Sequence, residues 1–288
     1  MAREHRPRSF YVLLAVFVLF VLFLYGPIVT IVILSFQGPD GGLVFPMRGV
    51  SLHWFFDLFR EQSIGDIGGA FRRSLVLGLT VMVLTVVFSY LAGLAFRRRF
   101  RGSTLLFYLA IASLIMPSVV VSLGIGAGFE LLGLPRSWWG SALGAHLTWT
   151  LPFGLLIMFA VFNRFDPSFE EAARDQGATG WQTNRHVVLP IVAPSLIGVS
   201  LFGFTLSYDE LARTSQAVGY ENTLPLELQA MQANTTTPVI YALGTLTTGL
   251  SFLVIFSTIG AVLWLRRRSA QRAAAPERDP DAVAVPAE

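Results

Sequence analysis

Two carboxylates, Asp209 and Glu210, stand at the end of an apolar stretch and directly follow Ser207 and Tyr208. A charged pair at the end of a membrane span is costly unless it faces water or a partner, so this pair is a candidate functional site. The carboxylates would attract a cationic solute, and the ring of Tyr208 could add a cation-π contact. The alternative interpretation is that both acids are boundary charges that contact an external loop. The sequence supports the two interpretations equally.

Two further polar residues, Glu130 and His146, lie near the ends of other apolar stretches and are candidates for a solute pathway. A lone histidine within a membrane is more often a hydrogen-bonded packing residue. The chain has 4 histidines, all scattered, and no cysteine, so we expect no metal site, no cofactor and no cluster of catalytic groups. These observations disfavour an intramembrane enzyme.

The segment 163–190, which we call the elbow, is polar where its surroundings are apolar. Asp166 followed by Pro167 is typical of a helix start, because the aspartate accepts from free backbone N–H groups and the proline has a helical φ. Gly177 suits a helix end, where a residue often needs positive φ. We therefore expect a short helix from Pro167 to about Gln176.

The elbow also contains the signal for a second short helix. Thr179, with Gln182 three residues later, matches a capping box. Glu170 and Glu171 fall in the first turn of the preceding helix, where the helix dipole favours negative charge. The resulting pair of bent helices presents small residues that let a partner approach closely, namely Ala172, Ala173, Ala178 and Gly180.

The elbow carries a spaced motif in which Glu171 opens a Glu-Ala-Ala triplet, Gly177 follows after three residues, and Val187 precedes Leu189 and Pro190. It resembles the EAA loop, E-A-A-x3-G-x9-I-x-L-P, of the membrane permease subunits of bacterial binding-protein-dependent ABC importers, although Val187 replaces the usual isoleucine. The resemblance implies that this loop docks into a groove on a cytoplasmic ATPase. The residues that it assigns to ATPase coupling are Glu170, Glu171, Ala172, Ala173, Asp175, Gly177, Ala178, Leu189 and Pro190.

A second resemblance concerns the solute. Residues 204–210 read F-T-L-S-Y-D-E, and residues 224–226 read L-P-L. Both segments are similar to the second permease of spermidine/putrescine importers, over roughly residues 70–265, with Tyr208 where some members carry methionine. The resemblance implies a polyamine or a related cationic solute, for which Ser207, Tyr208, Asp209, Glu210, Glu130 and His146 are the candidate pathway residues. A permease for a different solute, such as a sugar, an amino acid, an opine or a metal, is the alternative.

Composition places the chain in a membrane. Of its 288 residues, 53% are hydrophobic and 14% are charged, and the apolar residues form long runs. Six spans are expected, at about residues 10–35, 74–96, 103–132, 141–162, 195–211 and 239–265. A signal peptide is a poor alternative for the first, because the run exceeds a signal core and no cleavage site follows.

Several features within and between the spans have local explanations. The third span should break near Pro117 and contains a G-x-G-x-G run, for which close helix packing is a better explanation than a nucleotide site. An aromatic cluster, His53 to Phe56, predicts a short interfacial helix. A further short helix is expected from Leu224 to Gln232.

Arginine distribution predicts the orientation. The amino-terminal end, the 97–101 loop, the elbow and the tail hold 15 of the 21 basic residues, and the other three loops hold 6. By the positive-inside rule both termini and the elbow are cytoplasmic. We therefore divide the chain into a cytoplasmic amino terminus (1–9), a first span with a periplasmic loop (10–70), a transmembrane domain (71–268) and a disordered cytoplasmic tail (269–288).

The combined prediction is an all-α polytopic protein of a bacterial inner membrane, with six spans and the type I (MetI-like) importer permease architecture that the resemblance implies. The expected partners are a cytoplasmic ABC ATPase dimer, a second homologous permease, a periplasmic solute-binding protein and membrane lipid, without nucleic acid. ATP hydrolysis would belong to the ATPase, so this subunit is expected to be non-catalytic. A secondary transporter is the alternative, but it would need an internal repeat, and none is apparent.

Overall fold

The apolar runs form long helices in the computed structural model, which describes residues 7–58, 65–98, 100–234 and 238–273. Short π-helical turns, Trp138–Ala142 and Asn184–Val188, lead into two of the helices. In chain order the α-helices are α1 (Arg8–Leu34), α2 (His53–Asp57), α3 (Ile67–Phe96), α4 (Ser103–Ile115), α5 (Ser118–Leu131), α6 (Leu143–Asn163), α7 (Ser168–Asp175), α8 (Gly180–Thr183), α9 (Leu189–Tyr208), α10 (Leu224–Asn234) and α11 (Pro238–Ala273).

Five helical segments are long and apolar enough to cross a membrane, and they contain α1, α3, α6, α9 and α11. The helices α4 and α5 pass the same test as a pair but are bent by 111° at their junction. The number of spans is therefore six if this pair counts as one, and the predicted all-α polytopic fold is confirmed.

The bend between α4 and α5 lies where the sequence predicts a break. Pro117 has no N–H group and cannot continue the hydrogen bonding of α4, so the chain leaves the helical conformation at Met116 and restarts at Ser118. The bend of 111° at this junction confirms the predicted break near Pro117.

Helices α3, α6 and α9 pack against one another in the centre of the molecule. Small residues allow this close approach, as is usual between membrane helices. A Cβ atom on Gly93 of α3 would lie 2.7 Å from the Phe162 ring of α6. A hydrogen bond of 2.8 Å from Thr85 to Thr150 joins α3 to α6 as well. Helix α1 lies outside this centre, packs on α11 and leaves most of its apolar side chains exposed.

The ends of several spans differ from the predicted limits. Helix α3 begins at Ile67 rather than near Ser74, and α9 spans Leu189–Tyr208 rather than about 195–211. Pro190 is accommodated because it lies in the first turn of α9, where a proline costs little. Helix α11 continues past the predicted limit at 268 to Ala273, and the rest of the predicted tail, 274–288, lies outside the described residues, as do residues 1–6.

The predicted short helices are present. Helix α2 covers the aromatic cluster, and α10 begins at Leu224 and extends two residues past the expected end. Helix α10 packs against α3, and α2 packs against α11. Together they cover the end of the bundle that lies opposite the elbow.

Candidate functional site

The elbow folds as the local sequence predicts. Asp166 accepts a hydrogen bond of 2.9 Å from the backbone N–H of Ser168, and this bond lowers the pKa of the Asp166 carboxyl. Gly177 follows α7 with φ +79°, a conformation that side chains disfavour. Thr179 and Gln182 form the capping box, in which the Thr179 N–H donates to Gln182 Oε1 at 2.8 Å.

Most of the predicted coupling residues lie on the accessible surface of the elbow. The exposed residues are Glu171, Ala172, Asp175, Gly177, Leu189 and Pro190. Ala173 and Ala178 are half-buried. The same surface exposes two large apolar side chains that the motif does not include, Phe169 at 51% and Trp181 at 68%. Trp181 is the second residue of the apolar helical segment Gly180–Tyr208, whereas Phe169 lies outside the candidate spans.

Glu170 differs from its neighbour Glu171 because it is already paired within the chain. Its two carboxylate oxygens accept hydrogen bonds of 2.7 and 3.0 Å from Arg97, which lies directly after α3. The Arg97 guanidinium also lies 5.2 Å from the ring centre of Phe162 and 4.8 Å from that of Phe165. Glu170 therefore joins α7 to α3, a role that the sequence did not indicate.

A group of buried polar side chains lies at the opposite end of the bundle, where α6 begins and α9 ends. His146 is buried, with Nδ1 2.7 Å from Ser207 Oγ and Nε2 2.8 Å from Thr214 Oγ1. Thr214 donates its hydroxyl hydrogen to the Glu210 carbonyl at 2.6 Å, so its oxygen must accept from the ring. These two hydroxyls fully satisfy the ring of His146, and we call His146, Ser207, Arg213 and Thr214 the buried polar cluster.

Arg213, the fourth member of the cluster, is fully buried. Its Nη1 donates to Thr148 Oγ1 at 2.8 Å, its Nη2 lies 3.5 Å from the Ser113 carbonyl, and its guanidinium lies 4.7 Å from the Trp149 ring centre. In an uninterrupted helix the Ser113 carbonyl would accept from residue 117, but Pro117 has no N–H to donate. Arg213 therefore approaches a carbonyl that the break in α4 leaves without its helical partner.

Sequence reasoning missed Arg213. The available signal was its position, because it is one of the few arginines outside the regions predicted to be cytoplasmic. No ion pair joins its guanidinium to a carboxylate within the described ranges, although its backbone N–H donates to Glu210 Oε1 at 2.8 Å. Glu210 thus closes the turn that carries Arg213.

The predicted pathway residues separate into buried and exposed groups. Tyr208 is 3% exposed and stacks on Phe204 with ring centres 5.4 Å apart, so in this structure it has no free ring face for a solute. Ser207 is likewise buried against His146. Asp209 is exposed, and its carboxylate has no hydrogen-bonding or ionic partner among the residues that the structure describes. The protein around it partly desolvates the carboxylate, which raises the pKa of Asp209.

Glu130 lies near the end of α5, where its carboxylate is 2.9 Å from Arg136 Nη2. Both side chains are largely exposed, and the pair lies at the surface. The middle glycine of the predicted packing run, Gly126, touches the segment after α9, because a Cβ there would lie 2.6 Å from the Gln216 carbonyl oxygen. Within the described part of the chain, no group of three or more His, Asp or Glu residues could hold a metal ion.

The chain matches a known family model over residues 85–271, and the model describes the binding-protein-dependent transport system inner membrane component. The match begins within α3 and extends through the elbow and α9 to residue 271, within the last turn of α11. It therefore covers both the elbow and the buried polar cluster.

Individual relatives and solved structures agree with this match. The spermidine/putrescine transport system permease protein PotC of Haemophilus influenzae is 30% identical over 82% of this chain and 91% of the relative. The putrescine permease PotI of Escherichia coli is 28% identical, covering 87% and 88%, and the trehalose permease SugB of Mycobacterium tuberculosis is 30% identical, covering 65% of each. A crystal structure of a bacterial ABC transporter that imports alginate has a TM-score of 0.61 at 18% identity, over 91% of this chain and 99% of that chain, which shows a shared fold.

Proposed function

The chain belongs to the inner membrane components of binding-protein-dependent transport systems, and from that premise we propose that it carries a cationic solute of the polyamine class. It is a multi-pass permease subunit of an ABC importer. Membership of this family excludes the alternative of a secondary transporter. The proposal concerns the solute, the residues that contact it, and the site at which ATP hydrolysis is coupled to transport.

Asp209 is the observation that carries the proposed solute class. Its carboxylate lies at the end of α9 that is opposite the elbow, is exposed, and lacks a countercharge among the described residues. Partial desolvation raises its pKa, so the bare carboxylate is less stable there than in water. A protonated amine at this position would supply the missing countercharge. Relatives named for spermidine and putrescine transport support the same class.

The neighbouring candidates have other roles in this proposal. The Glu210 carboxylate accepts a hydrogen bond from the backbone N–H of Arg213. Ser207 and His146 are hydrogen-bonded to each other in the interior. Glu130 is paired with Arg136 at the surface. Asp209 is therefore the residue that we place in contact with the solute, and the others hold the end of α9 in position.

The elbow is the proposed site of coupling to a cytoplasmic ATPase dimer. Its support is the exposed surface around Glu171, near the exposed side chains of Phe169 and Trp181, on the short helices α7 and α8, of which α8 begins at a capping box. We place the elbow and both termini in the cytoplasm, as the arginine distribution favours. A second homologous permease would complete the pathway, and a periplasmic solute-binding protein would deliver the solute, as such a protein is bound in the alginate transporter.

Substitution of Asp209 tests the solute class. In vesicles that contain the complete transporter, Asp209→Asn should reduce spermidine uptake about tenfold, which corresponds to the loss of one charge-assisted contact. The matched control is Glu221→Gln, which removes an exposed carboxylate from the same loop.

Uptake of spermidine by the wild-type transporter should also fall as the external pH drops towards the raised pKa of Asp209, and Asp209→Asn should lose this dependence. Unchanged uptake in Asp209→Asn, or uptake of trehalose in place of spermidine, would reject the polyamine proposal.

Substitution of Glu171 tests the coupling site. Glu171→Lys should abolish ATP-driven uptake and weaken co-purification with the ATPase, while the permease still inserts into the membrane. Glu221→Lys, which places the same charge change at the other end of the bundle, should leave ATPase binding intact. Normal uptake and normal ATPase binding in Glu171→Lys would show that the elbow is not the docking site.

A further inference from the structure

We infer that Arg97 and Tyr90 of the α3 region fasten the elbow to the centre of the bundle, and that this attachment passes movement of the elbow to α3. The inference rests on the proposed coupling of the elbow to an ATPase. It assigns positioning roles to Arg97, Tyr90, Glu170 and Asn184, and it removes Glu170 from the surface that contacts the ATPase. We call the Arg97–Glu170 and Tyr90–Asn184 contacts the clasp.

The first contact of the clasp has the geometry of a strong ion pair. Two parallel hydrogen bonds, of 2.7 and 3.0 Å, join the Arg97 guanidinium to both carboxylate oxygens of Glu170. Their side chains are only 20% and 16% exposed, so water screens the pair less than it would at an open surface. Bidentate pairing of this kind fixes orientation as well as distance. The rings of Phe162 and Phe165 further confine the guanidinium.

The second contact binds the other half of the elbow to the same face of α3. The Tyr90 hydroxyl donates to Asn184 Oδ1 at 2.6 Å, and Asn184 opens the π-helical turn that precedes α9. Tyr90 and Arg97 are seven residues apart, which is two helical turns, and they therefore project from one side of the helix. One face of α3 thus holds both the helix before Gly177 and the segment after it.

Packing alone does not hold α7 in place. None of the residues of α7 is buried. A cavity of about 770 Å³ lies between the elbow and the adjacent ends of α3 and α6, and Arg97, Glu170 and Asn184 are among the residues that line it. Glu170 has a second ionic contact, in which its Oε2 lies 4.0 Å from Nη2 of Arg174 in the same helix. The Arg174 side chain is 54% exposed. The bidentate pair is therefore the principal polar tie between α7 and the bundle.

The clasp attaches the elbow to α3, and α3 packs on both α6 and α9 in the centre of the molecule. A displacement of α7 that is passed to α3 would act on both of these neighbours. The covalent connections of the elbow lead only to α6 and α9, so without the clasp α3 would follow the elbow only indirectly. The clasp gives the elbow a direct connection to the third central helix.

Charge exchange across the clasp tests the inference. In the complete transporter, Arg97→Glu and Glu170→Arg should each lower the amount of solute taken up per ATP hydrolysed by about tenfold, the change expected from losing one charge-assisted pair. The double variant Arg97→Glu with Glu170→Arg should recover most of this ratio, because the pair is re-formed with reversed charges. Arg98→Glu is the matched control, since Arg98 is adjacent, exposed and unpaired in the described structure. Tyr90→Phe should lower the ratio by a smaller factor.

The outcomes separate the clasp from the docking proposal. Recovery in the double variant supports the clasp, because a glutamate that contacted the ATPase would not be rescued by a change in α3. Absence of any loss in the single variants, or absence of rescue, would overturn it. If Arg97→Glu fails to reach the membrane, Arg97→Gln provides the same test, because glutamine has no charge with which to pair with Glu170. A normal ratio in Arg97→Gln would then reject the clasp, whereas failure of the docking proposal would appear as normal uptake in Glu171→Lys.

Discussion

The elbow and the buried polar cluster lie at opposite ends of the same bundle and satisfy their polar groups in different ways. Within the elbow, Asp166 and Thr179 form hydrogen bonds with residues two or three positions away in the chain. These hydrogen bonds are exposed to water. In the buried polar cluster, His146 reaches Ser207 across 61 positions, and Arg213 reaches Ser113 across 100. Water can replace a local cap at the surface, but it cannot replace a partner inside the bundle.

This difference has a consequence for stability. A substitution in the elbow should act locally, because few long-range contacts depend on its caps. A substitution in the buried polar cluster should destabilise several helices together, because its members come from α6, α9 and the segment after α9. The clasp is intermediate, since it joins the exposed elbow to α3 through two long-range contacts, which span 73 and 94 positions.

The largest effect is expected from Arg213→Ala. The change would leave a cavity beside Trp149 and remove the hydrogen-bond donors for Thr148 and the Ser113 carbonyl, which should lower the free energy of unfolding by about 3 kcal/mol. Thermal unfolding of the purified transporter measures this loss. Arg164→Ala, at the exposed carboxyl-terminal end of α6, serves as the control and should change the value by less than about 0.5 kcal/mol. If both substitutions lowered the free energy of unfolding equally, the proposed difference in stability between the buried polar cluster and the exposed end of the bundle would be wrong.

A smaller and local effect is expected from Gly177→Ala. Because φ is +79° at this position, a side chain should destabilise the end of α7 by about 1–2 kcal/mol even though no atom lies within 4 Å of the added Cβ. Amide hydrogen exchange should become faster in the elbow but not in α3. Gly180→Ala is the matched control, since Gly180 is equally open and has no positive φ. Slower exchange in Gly177→Ala than in Gly180→Ala would contradict the assignment.

The smallest effect is expected from Glu130→Gln. The Glu130–Arg136 pair is exposed, with side-chain exposures of 58% and 38%, so its loss should change the free energy of unfolding by less than about 0.5 kcal/mol. Thermal unfolding at low and moderate salt provides the measurement. A large loss of stability would mean that the segment between α5 and α6 is anchored by this pair rather than by its packing around Ser141 and Ala217.

The elbow shows how much the sequence could predict. Both short helices, the capping box and the glycine at the end of α7 follow from residues within one or two turns of each other, and all are present. The partner of Glu170 does not follow from such signals. Glu170 and Glu171 occupy equivalent first-turn positions in the sequence, and only the position of Arg97 in space shows that Glu170 is the one it pairs with.

The acidic end of α9 shows the opposite case. The sequence identified Ser207, Tyr208, Asp209 and Glu210 as a polar group at a span end, but it could not separate their orientations. In the structure Tyr208 packs into the core, while Asp209 remains exposed. Adjacent residues on a helix face directions about 100° apart, so the choice between interior and surface depends on which neighbours pack against α9.

The sequence alone determined the membrane class, the positions of the apolar runs and the bent helix pair of the elbow, because hydrophobic length and helix caps depend on residues close together in the chain. Tertiary structure alone decided that Arg97 holds Glu170 and that buried Arg213 lies beside the break in α4. Those contacts join residues 73 and 100 positions apart. Inside a bundle of membrane helices, a polar group must find its partner wherever the packing places one, and no local pattern specifies that partner.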